Sequence, residues 1–336
     1  VFDSNYSNSG GGAMAIGGDA SAYRDTVWIV KSTFKNNLVD DDGQTENSNN
    51  KNALGGAIKI DFGMNIIIFN SLFENNQTIK RNNGSGSGGG AISIGWGYGW
   101  DWQINPLVWI INSRFTKNKA SHTFGNRDSN GGAIYGGAPF VMANTLVDSN
   151  TAVTTNNSRG TGGGVFVNVQ STWDNNGNEV FGKSYLVSNT IVDNYAGASQ
   201  GEGEAGGIYI GDPQRQEGTW FNNIIWGNRA ANVSESANEW RHNLNFIDEN
   251  NFKLNTDYNN VEYSEHYAYF MGGNSYDIDP AFYSATNYQL STGSPLIGAG
   301  TASFNGIDAP KKDKLDNVRP NPVGSNPDLG AYENSL

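Results

Sequence analysis

Apolar residues in this chain come in short runs separated by long polar stretches. Val27-Trp28-Ile29-Val30, Ile66-Ile67-Ile68-Phe69 and Val108-Trp109-Ile110-Ile111 are three of them. Each is rich in β-branched and aromatic residues and too short for a helix, so each predicts a strand. Two phrases recur around these strands. The first is a glycine pair, a small residue and an aliphatic: Gly11-Gly12-Ala13-Met14, Gly55-Gly56-Ala57-Ile58, Gly89-Gly90-Ala91-Ile92 and Gly131-Gly132-Ala133-Ile134. It returns as Gly162-Gly163-Gly164-Val165 and, worn, as Ala205-Gly206-Gly207-Ile208. The second sets an Asn three places before a large apolar residue and another Asn two or three places after it. Asn70/Phe73/Asn76, Asn112/Phe115/Asn118, Asn144/Val147/Asn150, Asn189/Val192/Asn194 and Asn223/Trp226/Asn228 fit. Phe34/Asn37, led by Lys31, and the truncated Phe2/Asn5 complete the series.

A phrase repeated at this length means stacked structural units. The anchors Phe2, Phe34, Phe73, Phe115, Val147, Val192 and Trp226 recur at intervals of 32 to 45 residues. Helical repeats hold a tighter period and need helix formers, whereas these segments favour Asn, Gly, Ser and β-branched residues. The expected fold is all-β: a right-handed parallel β-helix of about seven to eight rungs, with two or three strands per rung and an irregular C-terminal cap. Residues 1–230 hold the repeats, and 231–336 a last degenerate rung and the cap. Phe34, Phe73 and Phe115 are expected to stack inward, and Asn37, Asn76, Asn118 and Asn150 to form a corner ladder. Such a ladder satisfies backbone groups that a sharp corner would otherwise bury unpaired. Glycine supplies the positive φ or close approach that a corner needs.

Composition narrows the function. The net charge of −12 argues against nucleic acid, whose phosphates would be repelled. No run approaches the roughly 18 apolar residues of a membrane span. Zero cysteines exclude disulfides and thiolate metal sites, which a long β-helix does not need even after export. The chain opens inside a repeat, so a processed or excerpted form is expected, with a leader or further rungs upstream.

The C-terminal third carries more specific motifs. Asn222-Asn223-Ile224-Ile225-Trp226-Gly227-Asn228, Asp279-Pro280-Ala281-Phe282 and Leu329-Gly330-Ala331-Tyr332-Glu333 together resemble the choice-of-anchor Q domain of bacterial surface β-helix proteins with the pectate-lyase-like superfold. The upstream rungs resemble the GGAI and FxxN repeats of polymorphic outer-membrane proteins. The resemblance implies an exported protein at a bacterial cell surface or in the extracellular space, facing polysaccharide or other surface components. It implies no reaction, because this superfold hosts lyases, hydrolases and adhesins alike. Arg319, Asp328 and Glu333 are expected to form a structural salt-bridge network in the cap.

Ligands are expected at turns whose length varies on a rigid stack. A long turn, 95–107, carries Trp96, Tyr98, Trp100 and Trp102 with Asp101; a second, 168–183, carries Trp173, Asp174, Glu179 and Lys183. With the short Gly136–Pro139 turn as floor, they would wall a groove about 10 Å across. Exposed aromatic rings suit sugar faces, which makes Trp96, Tyr98, Trp100, Trp102 and Trp173 the candidate ligand residues. The leading expectation is a non-catalytic adhesin or a glycan-binding or structural stalk. The alternative is a glycoside hydrolase using paired carboxylates from Asp101, Asp174 and Glu179, or a polysaccharide lyase, which needs a neutralising cation and a base such as Lys183 or Arg159. A Gly-His-Gly with paired Asp is absent, and His122, His242 and His266 are isolated, as surface histidines are. No cofactor is expected beyond possible Ca2+, for which the Asp40-Asp41-Asp42…Glu46 turn offers carboxylates without completing a calcium loop.

Overall fold

The computed structural model describes residues 1–17, 25–41, 52–61, 64–81, 86–95, 107–123, 127–155, 158–169, 171–173, 176–199, 201–231, 239–246, 253–267 and 271–334. It is a right-handed parallel β-helix, in which each full rung contributes a strand to each of five sheets rather than to two or three. Taking the second complete rung as the example, sheet I holds Asn65–Phe69, sheet II Leu72–Glu74 and sheet III Gln77–Lys80. Sheet IV then holds Ser87–Gly88 and sheet V Ile92–Ile94. Sheet II is eight strands long, sheets I, III and V seven, and sheet IV five. Among the described residues no helix is long and apolar enough to cross a membrane.

Three corners per rung use the left-handed backbone conformation. Between sheets I and II it falls on Lys31, Asn70, Asn112, Asn144, Ser188, Asn222 and Tyr258. Asn is favoured at several of these because it tolerates positive φ better than other side-chain-bearing residues. Between II and III the same role passes through Asn36, Asn75, Lys117, Ser149, Asp193 and Gly227. The third corner belongs to the glycine pair, whose members have different duties. Gly89 has φ +65°, whereas a Cβ on Gly90 would lie 2.1 Å from the Gly132 carbonyl oxygen. One glycine turns the chain; the next lets rungs touch.

The core is a set of vertical files. Phe2, Phe34, Phe73 and Phe115 pair in register on sheet II, with ring centroids 4.6, 4.9 and 4.6 Å apart and rings nearly parallel. The file continues through Val147, Ile191, Ile225 and Val261. Val192 and Trp226 are therefore not anchors. They stand one residue on and face outward, where they meet Tyr288, Phe282 and Tyr332. The repeat slips because the Asn before Val192 and Trp226 is a ladder residue, not the corner residue that Asn70, Asn112 and Asn144 provide.

Beside the aromatic file runs a second ladder of Asn5, Asn37, Asn76, Asn118, Asn150, Asn194, Asn228 and Asn243. Each side-chain amide donates to the next carbonyl oxygen at 2.8–2.9 Å, and most also donate to a main-chain carbonyl on the preceding rung. A parallel ladder at the other corner runs Ser71, Ser113, Thr145, Asn189, Asn223, Asn259.

The C-terminal region divides in two. Met271, in the segment after the last rung, packs on the main core, and Tyr276 bridges Asn260. Ile278 stays beside the last rung, exchanging hydrogen bonds with the Asn260 side chain at 2.9 and 3.0 Å, and the residues that follow run back along the flank. Phe304, Ile307 and Ala309 cover Ala143, Val187 and Phe221. Leu290, Leu296 and Leu329 cover Ile224. The expected Arg319–Glu333 pair is present and buried, its guanidinium also donating to Asn144 Oδ1 at 3.0 Å on the solenoid. Asp328 instead accepts from the Gly298 and Asn334 main-chain N–H groups.

Lys314 fixes the far end of this strap, donating to the Asn112 carbonyl oxygen at 2.9 Å. Burial pulls its pKa down to about 8 from an ordinary 10.5, with Arg114 adding to the shift. Between those values the unfolded chain binds the proton that the folded chain has released, so stability rises with pH across the window. Above pH 10 the desolvated phenol of Tyr332, raised to about 12, acts in the opposite sense. Denaturant midpoints should climb from pH 8 towards pH 10 in the wild type, and Lys314→Met should flatten that climb. A slope unchanged by the substitution would show that Lys314 keeps its proton in the fold.

Candidate functional site

Strand alternation decides what each sheet shows to solvent. On sheet I, Ile66, Ile68, Val108, Ile110, Phe140 and Met142 point inward and are buried. The outward positions form two files of unusual composition. One runs Trp28, Ile67, Trp109, Val141, Tyr185 in register; the other runs Val30, Phe69, Ile111, Ala143, Val187, Phe221. The strap covers the second file from Ala143 onward. Nearer the N-terminus the face continues without it: Trp28 is 65% exposed and Val30 44%, with Ile67, Phe69, Trp109 and Ile111 half-buried. Sheet III is mixed instead, reading Tyr6, Leu38, Gln77, Lys119, Thr151 and Tyr195 at one outward position.

The Trp28 file has a useful period. Trp28, Trp109 and Tyr185 stand on alternate rungs, about 9.6 Å apart if each rung rises about 4.8 Å. Beyond Tyr185 the file turns polar, to Thr219 and Asn255. There a cavity of about 330 Å³ is lined by Lys183, Tyr185, Glu217, Thr219, Lys253, Asn255 and the strap residues Asn305 and Ile307. Lys183 lies 3.8 Å from Glu217, and Lys253 sits over the Phe181 ring. The face is thus an aromatic track ending in a cluster of donors and acceptors. Another outward aromatic stack, Tyr135–Phe166–Tyr209 on sheet V, is buried and offers no ring face.

The earlier candidates are only partly placed. Trp96, Tyr98, Trp100, Asp101, Trp102, Asp174, Asp42 and Glu46 lie outside the described residues. The bases of the two long turns and the short floor do stack, since Gly137 N–H donates to the Ile94 carbonyl and Asn168 N–H to that of Gly136. Trp173 stands on a two-residue strand paired antiparallel with Glu179-Val180. Glu179 accepts from Ser171 Oγ at 2.6 Å and faces Arg215 at 3.5 Å, while Lys183 belongs to the sheet I cavity instead.

Asp40 and Asp41 do not converge on an ion. As neighbours on a strand they point to opposite faces, Asp40 to Arg81 and Asp41 to Lys80. Among the described residues no group of three or more metal-ligating side chains occurs. The expectation of surface histidines fails for His122, which is fully buried on sheet III, and His242 Nδ1 accepts the Ala230 N–H at 2.8 Å.

The sheet I track was within reach of the sequence. Alternation inside Val27-Trp28-Ile29-Val30 and Val108-Trp109-Ile110-Ile111 puts each Trp on the face opposite the aliphatic core positions. An apolar residue at every position of a strand signals two buried faces or one buried and one meant for contact. Comparison with known proteins finds no significant match: no protein-family model, no curated protein and no solved structure.

Proposed function

We propose that this chain is a non-catalytic, exported surface β-helix that binds an extended β-linked polysaccharide along the outer face of sheet I. The observation that carries the reading is the ring file Trp28, Trp109, Tyr185, open to solvent at its Trp28 end and placed on a rigid stack. Indole and phenol rings present flat apolar faces at small entropic cost, and sugar rings offer matching C–H faces. A spacing near 9.6 Å approximates the length of one disaccharide in an extended β-linked chain, so successive repeats can meet successive rings. The Lys183–Glu217–Lys253 cluster would then hydrogen-bond hydroxyl or carboxylate groups at the end of the track. The choice-of-anchor Q resemblance of residues 222–333 supports placement at a bacterial surface.

Affinity electrophoresis through gels holding neutral or acidic β-linked polysaccharides tests this directly. Wild type should be retarded by at least one of them without releasing reducing or unsaturated ends. Trp109→Ala should weaken retardation about tenfold, the loss of roughly 1.4 kcal/mol of ring contact. Tyr195→Ala, at a 41% exposed tyrosine on sheet III, should leave it unchanged. Equal retardation of wild type and Trp109→Ala, or release of sugar ends, would overturn the reading.

A further inference from the structure

Sheet III hides a charged file inside an otherwise neutral core. Its inward positions read Val39, Thr78, Ala120, Ala152 at one level and Asp41, Lys80, His122, Thr154 at the next. Lys80 and His122 are fully buried, and Asp41 is 3% exposed. Asp41 and Lys80 are register partners on adjacent strands, and Lys80 Nζ touches Asp41 Oδ2. His122 is the register partner of Lys80 on the other side, about 4.8 Å along the stack. Among the described residues the next two rungs fill this level with the neutral Thr154 and Ala198. A single buried ion pair is poor value for stability, because desolvating two charges offsets most of their attraction.

We propose that Lys80 and Asp41 join in an intramolecular isopeptide bond, with His122 as the proton carrier. Transfer of one proton from the ammonium to the carboxylate gives a neutral amine beside a neutral acid. The amine nitrogen attacks Asp41 Cγ, forming the Nζ–Cγ bond. His122 takes the proton that the nitrogen sheds and delivers it to the departing hydroxyl. The Cγ–O bond breaks and water leaves, so ammonium and carboxylate become amide and water with no oxidant or activating group. Condensation is unfavourable in open water, but groups held in contact act as though at very high concentration. Burial of Lys80 and His122, and near-burial of Asp41, also slows the reverse hydrolysis. The bond would close a loop between residues 39 positions apart, tying two adjacent rungs together covalently.

Intact-mass spectrometry of the purified full chain is the test, followed by peptide mapping under denaturing conditions. The expected result is a mass lower than the sequence predicts by one water, and a branched peptide joining the segment of Asp41 to that of Lys80. Lys80→Met and Asp41→Ala should each restore the full mass; using both keeps the test valid if one fails to fold. His122→Gln should fold, by circular dichroism, and acquire the cross-link at least tenfold more slowly. A wild type of full mass overturns the proposal. So does a water deficit mapped to a linear peptide, as a succinimide at Asp42-Gly43 would give. Cross-linking of His122→Gln at the wild-type rate overturns the role of the histidine.

Discussion

Asn118→Ala should destabilise the fold by about 3–5 kcal/mol, far more than its small change in volume suggests. The Asn118 side chain accepts from Asn76 N–H and Asn76 Nδ2 at 3.0 and 2.9 Å. It donates to the Phe73 carbonyl and to Asn150 Oδ1, both at 2.9 Å. Alanine removes all four bonds and leaves their partners buried, with Asn150 Oδ1 keeping only the Asn118 N–H and Asn76 Nδ2 only the Phe34 carbonyl. Each orphaned group costs about 1–3 kcal/mol, reduced by whatever relaxation the rungs allow. Because rungs contact only their neighbours, the defect should also split the solenoid into two weakly coupled blocks. Urea unfolding followed by circular dichroism should show a lower midpoint and a broader or two-step transition. Ser113→Ala is the comparison: its hydroxyl donates to Ile111 and accepts from Ser71 N–H, so fewer groups are stranded. A loss under about 1 kcal/mol for Asn118→Ala would mean the ladder decorates the corner without holding it.

The same ladder shows how much of the fold is legible in the sequence. A parallel β-helix was readable because corners demand unusual chemistry, and Gly-Gly and Asn at fixed offsets from Phe announce it. Register was harder to read. Asn is both the residue that tolerates positive φ, at Asn70, Asn112 and Asn144, and the one that ladders, at Asn189 and Asn223. One letter thus served two adjacent columns, and the anchors drifted from Ile191 and Ile225 to Val192 and Trp226. The path of the C-terminal strap along the flank was hidden for a related reason. Its motifs mark an ending in the sequence, but Phe304, Ile307 and Ala309 find most of their apolar surface along the flank at Ala143, Val187 and Phe221, with Phe304 also edge-on to Tyr258 of the last rung. The candidate face is legible in the alternation of the strands, yet the dense Trp cluster at residues 96–102 gives the turns the stronger aromatic signal. Asp41 and Lys80 also stayed hidden, because nothing in either local sequence says that the two share a level.

Arg319→Met should release the strap, at a cost of about 3–5 kcal/mol for breaking a buried pair on one side. The guanidinium reaches Glu333 Oε2 at 2.8 Å, Asn144 Oδ1 at 3.0 Å and the Gly330 carbonyl at 3.0 Å. It therefore joins the end of the strap, its own backbone and the solenoid corner in one contact. Removing it leaves the Glu333 carboxylate buried with only the Asn321 and Asp328 N–H groups. Desolvation already raises the pKa of Glu333, and Arg319 is the largest influence opposing that rise. Without Arg319 the carboxyl should climb further, so the folded mutant binds a proton that the unfolded chain does not. Its stability then increases as pH falls from the raised value toward the ordinary one near 4.5. The mutant should therefore bind a hydrophobic dye at neutral pH, where Val187 and Phe221 lose their cover, and lose that binding on mild acidification. Arg319→Met combined with Glu333→Gln should recover part of the loss at neutral pH and show no acid rescue. Dye binding in the single mutant that is unaffected by acid would locate the failure in lost packing rather than in a stranded charge, and the strap would then be held by its apolar contacts alone.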